Sequence, residues 1–381
     1  MCHPTCIVSK YEIPVSHIST HGWCVDNLRN RYADTGPINS IPGESQTNEY
    51  TMNKPATTPV IGLDEIKRLI DVHTLIQNIE TGFVRYSEGQ TEVPPVGFLH
   101  FDSPPGDVHI KYGYIHGDDY YVLKVASAFT DNKESGQPVN NGMVLVFSSQ
   151  TGAIAYILLD EGWLTDIRTA AAGAVAAKYL SSPKVDTIGI VGTGTQARLQ
   201  LELLRDIIDC KRCVIWGRNS NNARKMVDDL HKNPLIKDWG ITISVVDTLE
   251  SLAQQSRLIV TTTPSKTPLL LAEHIQPGTH ITAMGSDDHG KQELHSSLLA
   301  KADVVVADSK SQCIDHGECY TAIQHQKIQS DDIIELGDVI SRTAAGRTEE
   351  QQITIADLTG VAVQDIQAAT MVANACKATH T

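Results

Sequence analysis

The chain has 381 residues, with 31 Lys+Arg against 45 Asp+Glu, a net charge of −14, 41% hydrophobic residues and 20% charged residues. Those proportions suit a globular protein with a large buried core, at a length where one core usually divides into two. The acidic excess, with no clustered basic stretch, argues against a nucleic-acid partner, and no apolar run reaches the ~18–20 residues of a membrane span.

Met1-Cys2-His3-Pro4-Thr5 lacks the charged-then-apolar pattern of a secretory leader, so a cytoplasmic location is expected. The eight cysteines are too sparse for a disulfide scaffold. Residues 1–56 are polar and turn-rich and read as an irregular extension, in which Cys2, His3, Cys6 and Cys24 have no regular metal-ligand spacing. From Leu63 the pattern turns helical: Leu63, Ile66, Leu69 and Ile70 share a face, and Leu75, Ile76, Ile79 and Phe83 continue it after a break. Gly89 and Pro94-Pro95 end that region. Segments 108–115, 120–127, 143–147 and 153–159 are rich in β-branched and aromatic residues and separated by turn signals, which predicts an antiparallel sheet. An alanine-rich helix follows over 165–180, with Thr165 or Asp166 as its cap.

At Lys184 the character changes. Strands over 187–191, 213–216, 241–246 and 258–263 alternate with a helix that follows the segment 192–197 and runs through Leu204 and with helices over 222–230 and 249–254, and strands over 280–284 and 304–307 follow. Such alternation predicts an α/β Rossmann domain, a doubly wound parallel sheet over 181–345. It joins a discontinuous α+β domain over 57–180, completed by 346–381, where Ile353-Thr354-Ile355 precedes a helical stretch. Cys210-x-x-Cys213 falls where a helix gives way to a strand, without a second pair, and reads as structural.

Gly192-x-Gly194-x-x-Ala197 is the strongest motif. Its first glycine permits the strand-to-helix turn, its second admits a pyrophosphate, and the small third residue lets helix and strand pack. Apolar strand, motif and helix follow one another in the order a dinucleotide site requires. The next strand ends in Trp216-Gly217-Arg218-Asn219-Ser220, with no carboxylate for a ribose 2′-hydroxyl. Arg218 with Asn219 or Ser220 suits a 2′-phosphate, so NADP(H) is favoured over NAD(H).

Four segments then carry a resemblance to the ornithine cyclodeaminase/mu-crystallin family, which includes archaeal-type alanine dehydrogenase and ketimine reductases. They are Leu123-Lys124-Val125-Ala126-Ser127, Leu164 through Ala171, Val191 through Ala197, and Met284-Gly285-Ser286-Asp287-Asp288-His289-Gly290-Lys291-Gln292-Glu293-Leu294. The resemblance implies a homodimer joined through the sheet domain, with the cofactor in a cleft facing it. It implies that Lys124 is catalytic as well as substrate-binding, holding the substrate carboxylate and helping to polarise the reacting carbon, and that Arg168 pairs with a carboxylate or the pyrophosphate beside Thr169. Asp287 is the expected general acid/base, partial burial beside a nicotinamide tuning its pKa towards proton transfer; a helix cap before Lys291–Leu298 is the structural alternative, and the two roles can coexist. Thr193, Thr195 and Gln196 of the fingerprint, Thr262 and Thr263, Met284 to Ser286, and Thr359 with Gly360 complete the expected cofactor contacts. No metal is expected.

The sequence departs from the family twice. Relatives carry arginine after the Pro-Pro pair, where Val96 stands here, and cyclodeaminases place a substrate-contacting glutamate at the position of Lys111. Lys111 repels a cationic side chain and suits a carboxylate. The expectation is an NAD(P)-dependent oxidoreductase acting at the Cα–N bond of a small amino acid or its cyclic imine. An ornithine cyclodeaminase and an NADP(H)-dependent ligand-binding regulator are the alternatives.

Overall fold

The computed structural model describes residues 58–379, so the expected extension and its cysteines lie outside the described residues. Residues from Thr57 onward cluster as one compact unit containing two sheets. The first holds β1 (Val60–Gly62), β2 (Thr91–Glu92), β3 (Gly97–Asp102), β4 (Pro105–Ile115), β5 (Tyr120–Phe129), β6 (Asn140–Ser148) and β7 (Ile154–Leu159). Its order is β1-β7-β6-β5-β4-β2, with β3 also on β4; every pairing is antiparallel except β1 with β7.

The second sheet is wholly parallel. It comprises β8 (Ile188–Val191), β9 (Arg212–Trp216), β10 (Thr242–Val245), β11 (Leu258–Thr261), β12 (His280–Ala283), β13 (Val304–Ala307), β14 (Ile333–Glu335) and β15 (Thr354–Asp357), in the order β10-β9-β8-β11-β12-β15-β13-β14. Five of these strands, β8, β11, β12, β13 and β15, are buried along their whole length, as a helix-covered parallel sheet demands.

One expectation is corrected here. The segment after 346 does not return whole to the first sheet: β15 inserts between β12 and β13 of the parallel sheet. Only the C-terminal helix Ala362–Thr379 packs back, against β4 and two helices, α2 (Val72–Ser87) and α3 (Trp163–Leu180). The short helix α1 (Leu63–Leu69) precedes α2, the break falling at Ile70 and at Asp71, whose carboxylate caps α2 through Thr74 N at 2.8 Å.

Helix α3 joins the layers, and its small residues have a visible use. A Cβ at Gly173 would lie 2.1 Å from Gln200 Oε1 on α4 (Thr195–Leu204), so the two helices approach more closely than larger side chains permit. The helix also starts two residues before the expected cap. Gly162, at φ 85°, turns the chain into it, and Asp160 Oδ2 accepts from Leu164 N at 2.9 Å; neither Thr165 nor Asp166 caps it. A continuous apolar core runs from α2 and the first sheet through α3 to the parallel sheet. Cys210 and Cys213 are free and buried, and burial pushes both thiols up, away from reactivity. Among the described residues no helix is long and apolar enough to cross a membrane.

Candidate active site

A cavity of about 260 Å³ is lined by β4 and β5 of the first sheet, the start of α3, the loop after β12 and the loop after β15. It gathers most of the expected substrate-end residues: Lys111, Lys124, Arg168, Thr169, Gln196, Met284, Asp287, Thr359 and Gly360. Strand geometry explains the first two. Lys111 and Lys124 are directly opposed in the β4–β5 register, so the pleat sends both side chains to the same face. Both are buried, as is Arg168 one turn into α3.

Three buried cations need anions. Asp365, in the first turn of the C-terminal helix, supplies one: its Oδ1 lies 3.2 Å from Lys124 Nζ and 2.9 Å from Arg168 Nε. Gln364 Oε1 accepts from Arg168 Nη1 at 2.5 Å, and Lys111 Nζ donates to the carbonyl of Gly360. Asp308, at the end of β13, holds that loop in place by accepting from Thr359 N at 3.1 Å, Gly360 N at 2.7 Å and Gln364 Nε2 at 3.2 Å. Burial lowers the pKa of Lys124 to about 7, with Arg168 and Lys111 adding repulsion and Asp365 opposing them. Burial and Arg168 lower Lys111 as well. Lys124 therefore exchanges a proton near neutral pH.

Asp287 faces the same cavity, but not as expected. Burial pushes its carboxyl up, yet Lys291, whose Nζ lies 2.5 Å from Oδ1, outweighs that and, with Lys111 and His109, holds it below the ordinary carboxylate range. Its side chain remains about 48% exposed. Nor does it cap a helix: the nearest helix runs over Ser296–Lys301 and is capped by His295. Ser286 turns away from the cavity and donates to the carbonyl of Lys291 at 2.8 Å. Gly285 N donates to Glu293 at 2.8 Å, and the same carboxylate accepts from Thr261 Oγ1 and Thr263 N, tying the ends of β11 and β12 together.

A second cavity, of about 290 Å³, lies at the C-terminal edge of β8, β9 and β11, where doubly wound folds bind ligands. Gly192, Thr193, Gly194, Arg218, Asn219, Thr262 and Thr263 line it. Gly192 sits at φ 128° with Thr262 Oγ1 only 2.4 Å from where a Cβ would stand, so this turn admits no side chain. A Cβ at Gly194 would instead meet nothing within 4 Å, which leaves room for a pyrophosphate beside the N-terminus of α4. Ala197 is buried against the strand, Thr195 is exposed, and Gln196 faces the first cavity, so one turn borders both spaces. These features fit a dinucleotide. Asn219 caps the helix α5 (Ser220–Leu230) through Asn221 N at 2.9 Å; Ser220 lies outside the lining, and Arg218 is exposed beside it.

Sequence reasoning missed Asp365, Gln364, Asp308 and Glu293, the groups that hold the cations and loops. A carboxylate just after the Thr359-Gly360 turn, opening an otherwise apolar helix, was the available signal for Asp365. It also missed His109, which stacks edge-on with Phe98 at 4.9 Å and stands 3.5 Å from Asp107 on the cavity wall.

The chain is similar in sequence and fold to several known proteins. An uncharacterized cyclodeaminase of Sinorhizobium fredii is 42% identical over 281 residues, 74% of this chain and 83% of that protein. An archaeal alanine dehydrogenase dimer with bound NAD superposes with a TM-score of 0.78 at 32% identity, over 85% of this chain and 97% of its own. The iminosuccinate reductase of Paracoccus denitrificans in complex with NAD+ gives 0.77 at 28% identity, again over 85% and 97%. Residues 58–380 match one family description over nearly the whole described length, and the chain belongs to the ornithine cyclodeaminase/mu-crystallin family.

Proposed function

We propose that this protein is an NAD(P)-dependent oxidoreductase that interconverts a small amino acid and its imine, the Cα–N single bond becoming C=N as a hydride leaves Cα and a proton leaves nitrogen, and the reverse. The observation that carries the reading is the convergence of Lys111, Lys124, Arg168 and Asp287 on one cavity, next to a glycine turn with space for a pyrophosphate. The alanine dehydrogenase and the iminosuccinate reductase, both with NAD in their structures, support it. The nicotinamide, when bound, takes or gives the hydride.

The chain's own residues do the rest. Lys111 and Arg168 present cationic donors for the substrate carboxylate, so that the α-carbon is oriented toward the turn 192–197. Lys124, titrating near neutrality, takes a proton from the amine in the oxidative direction and returns it in the reductive one. Asp287, ionised and paired with Lys291, accepts a hydrogen bond from the substrate nitrogen and favours its cationic form. Lys111 at the cyclodeaminase glutamate position disfavours a diamino acid, which places ornithine cyclisation second.

Arg218, exposed on the second cavity with no carboxylate at the end of β9, supports a preference for NADP(H). A homodimer is proposed through the first sheet, where Phe98, Leu99 and Phe101 of β3 and Tyr112 of β4 are exposed. The test is a screen of small amino acids and imines with both nicotinamide cofactors, reading reduced-nicotinamide absorbance and ammonia together. Net absorbance change is the expected result. Ammonia without net change assigns a cyclodeaminase, and silence in both channels with retained cofactor binding overturns the enzymatic reading.

A further inference from the structure

The loop that carries Asp287 continues into a cluster that the cavity does not use. His289, exposed on that loop, meets Asp315 and His316 from the turn between the helices Lys310–Cys313 and Glu318–Gln324. Asp315 Oδ2 lies 3.6 Å from His289 Nε2 and 3.4 Å from His316 Nδ1. The two imidazoles meet edge-on with centroids 5.5 Å apart, and one ligand atom from each of the three side chains lies within 4.8 Å of the others.

A tetrahedral zinc ion with bonds of about 2.0–2.1 Å holds neighbouring ligand atoms roughly 3.3–3.4 Å apart. Two of the three edges already stand close to that value, and the third lies within 4.8 Å. We propose that His289, Asp315 and His316 form a binding site for a divalent transition metal of the zinc class, with water completing the shell. Two imidazoles and one carboxylate select such an ion over magnesium or calcium, which prefer oxygen shells. An ordinary ion pair accounts for one imidazole at Asp315; a second, arriving from another loop at the same oxygen, is what a shared cation explains.

The site lies at a useful place. His289 follows Asp287 by two positions, and Gln312, just before the other two ligands, donates to Thr359 Oγ1 at 3.3 Å and to the carbonyl of Gly360 at 3.4 Å. A bound ion fastens the Asp287 loop to the segment that supports the Thr359–Gly360 turn. The site stands on its own ligands and does not depend on which reaction the cavity performs.

The test uses the full chain, stripped with a chelator and titrated with Zn2+ against a chromophoric competitor. Wild type should bind an equivalent that His289→Ala and His316→Ala each weaken by at least roughly tenfold, on the scale that disturbing a ligand shell costs. Asp315→Asn keeps the shape, so weakening there rules out unfolding as the cause. Co2+ should give visible bands of a histidine-ligated ion that vanish in each variant. A wild-type chain that leaves the competitor's zinc untouched overturns the site, and so does zinc binding that persists undiminished when both histidines are replaced.

Discussion

Lys124 is buried, and that burial lowers its pKa to about 7; Asp365, 3.2 Å away and shared with Arg168, opposes the shift without cancelling it. The sign of the consequence for folding follows from linkage. Below 7 both folded and unfolded chains hold the proton, so the penalty for burying the charge is complete and constant. Between about 7 and its free value of 10.5 only the unfolded chain holds it, and stability rises with pH. The difference in unfolding free energy between wild type and Lys124→Met, from urea titrations, should therefore climb through that window and be flat beneath it. In turnover the same group gives a limb near 7 that rises with pH for amine oxidation and falls for imine reduction. Lys124→Met should cost roughly 10²–10⁴-fold in kcat, as the loss of a positioned proton carrier does. Asp287→Asn, which keeps the cavity's shape but removes the charge facing the substrate nitrogen, should lower kcat while cofactor affinity, read by fluorescence titration, stays near wild type. Lys111 acts on another quantity: Lys111→Ala should raise KM for the carboxylate substrate with kcat little changed, because an anchor binds ground and transition states alike. An unchanged KM in steady-state kinetics removes Lys111 from that role.

At the scale of elements, the glycine turn after β8 separates folding from binding. Gly192 holds φ 128° with Thr262 Oγ1 2.4 Å from a would-be Cβ, whereas the space beside Gly194 is open. Gly192→Ala should cost about 1–3 kcal/mol of unfolding free energy by forcing a side chain into a strained conformation and a clash. Gly194→Ala should leave the denaturation midpoint nearly unchanged and weaken NAD(P)(H) in a binding titration, since its new methyl intrudes only where the pyrophosphate goes. This turn was legible because strand, glycines and helix are consecutive, and local signals suffice for consecutive residues. β3 was not legible. Gly97–Asp102 lies between Pro94-Pro95 and Pro104, and that punctuation hides an outer strand that needs only β4 as partner. The start of α3 was misplaced for a similar reason: Gly162 in a left-handed turn opens the helix, and the capping carboxylate, Asp160, lies upstream of it.

At the scale of the whole molecule, what the sequence hid were the partners brought together by topology. Asp365 reaches Arg168 and Lys124 only because the C-terminal helix crosses back over α2 and β4, and Asp308 reaches Gly360 only because β15 inserts beside β13. Neither follows from periodicity, since the distant pairings decide them. The same holds for assembly, where an apolar strand in a monomer's surface reads like any other. Leu99 and Phe101 alternate onto one face of β3 and are 51% and 39% exposed, on a chain whose net charge of −14 otherwise opposes self-association. Burying that strand against its copy covers large apolar side chains and leaves the cavity open, because Lys111 and Lys124 are reached from beside α3. Replacing both residues, Leu99→Asp with Phe101→Asp, should place two desolvated carboxylates per protomer in the interface. The folded protomer should tolerate them, since neither side chain is in its core. Light scattering after size-exclusion should then report twice the chain mass for wild type and one chain mass for the variant, with the thermal unfolding of the protomer still cooperative. A variant that keeps the doubled mass moves the dimer contact elsewhere on the molecule.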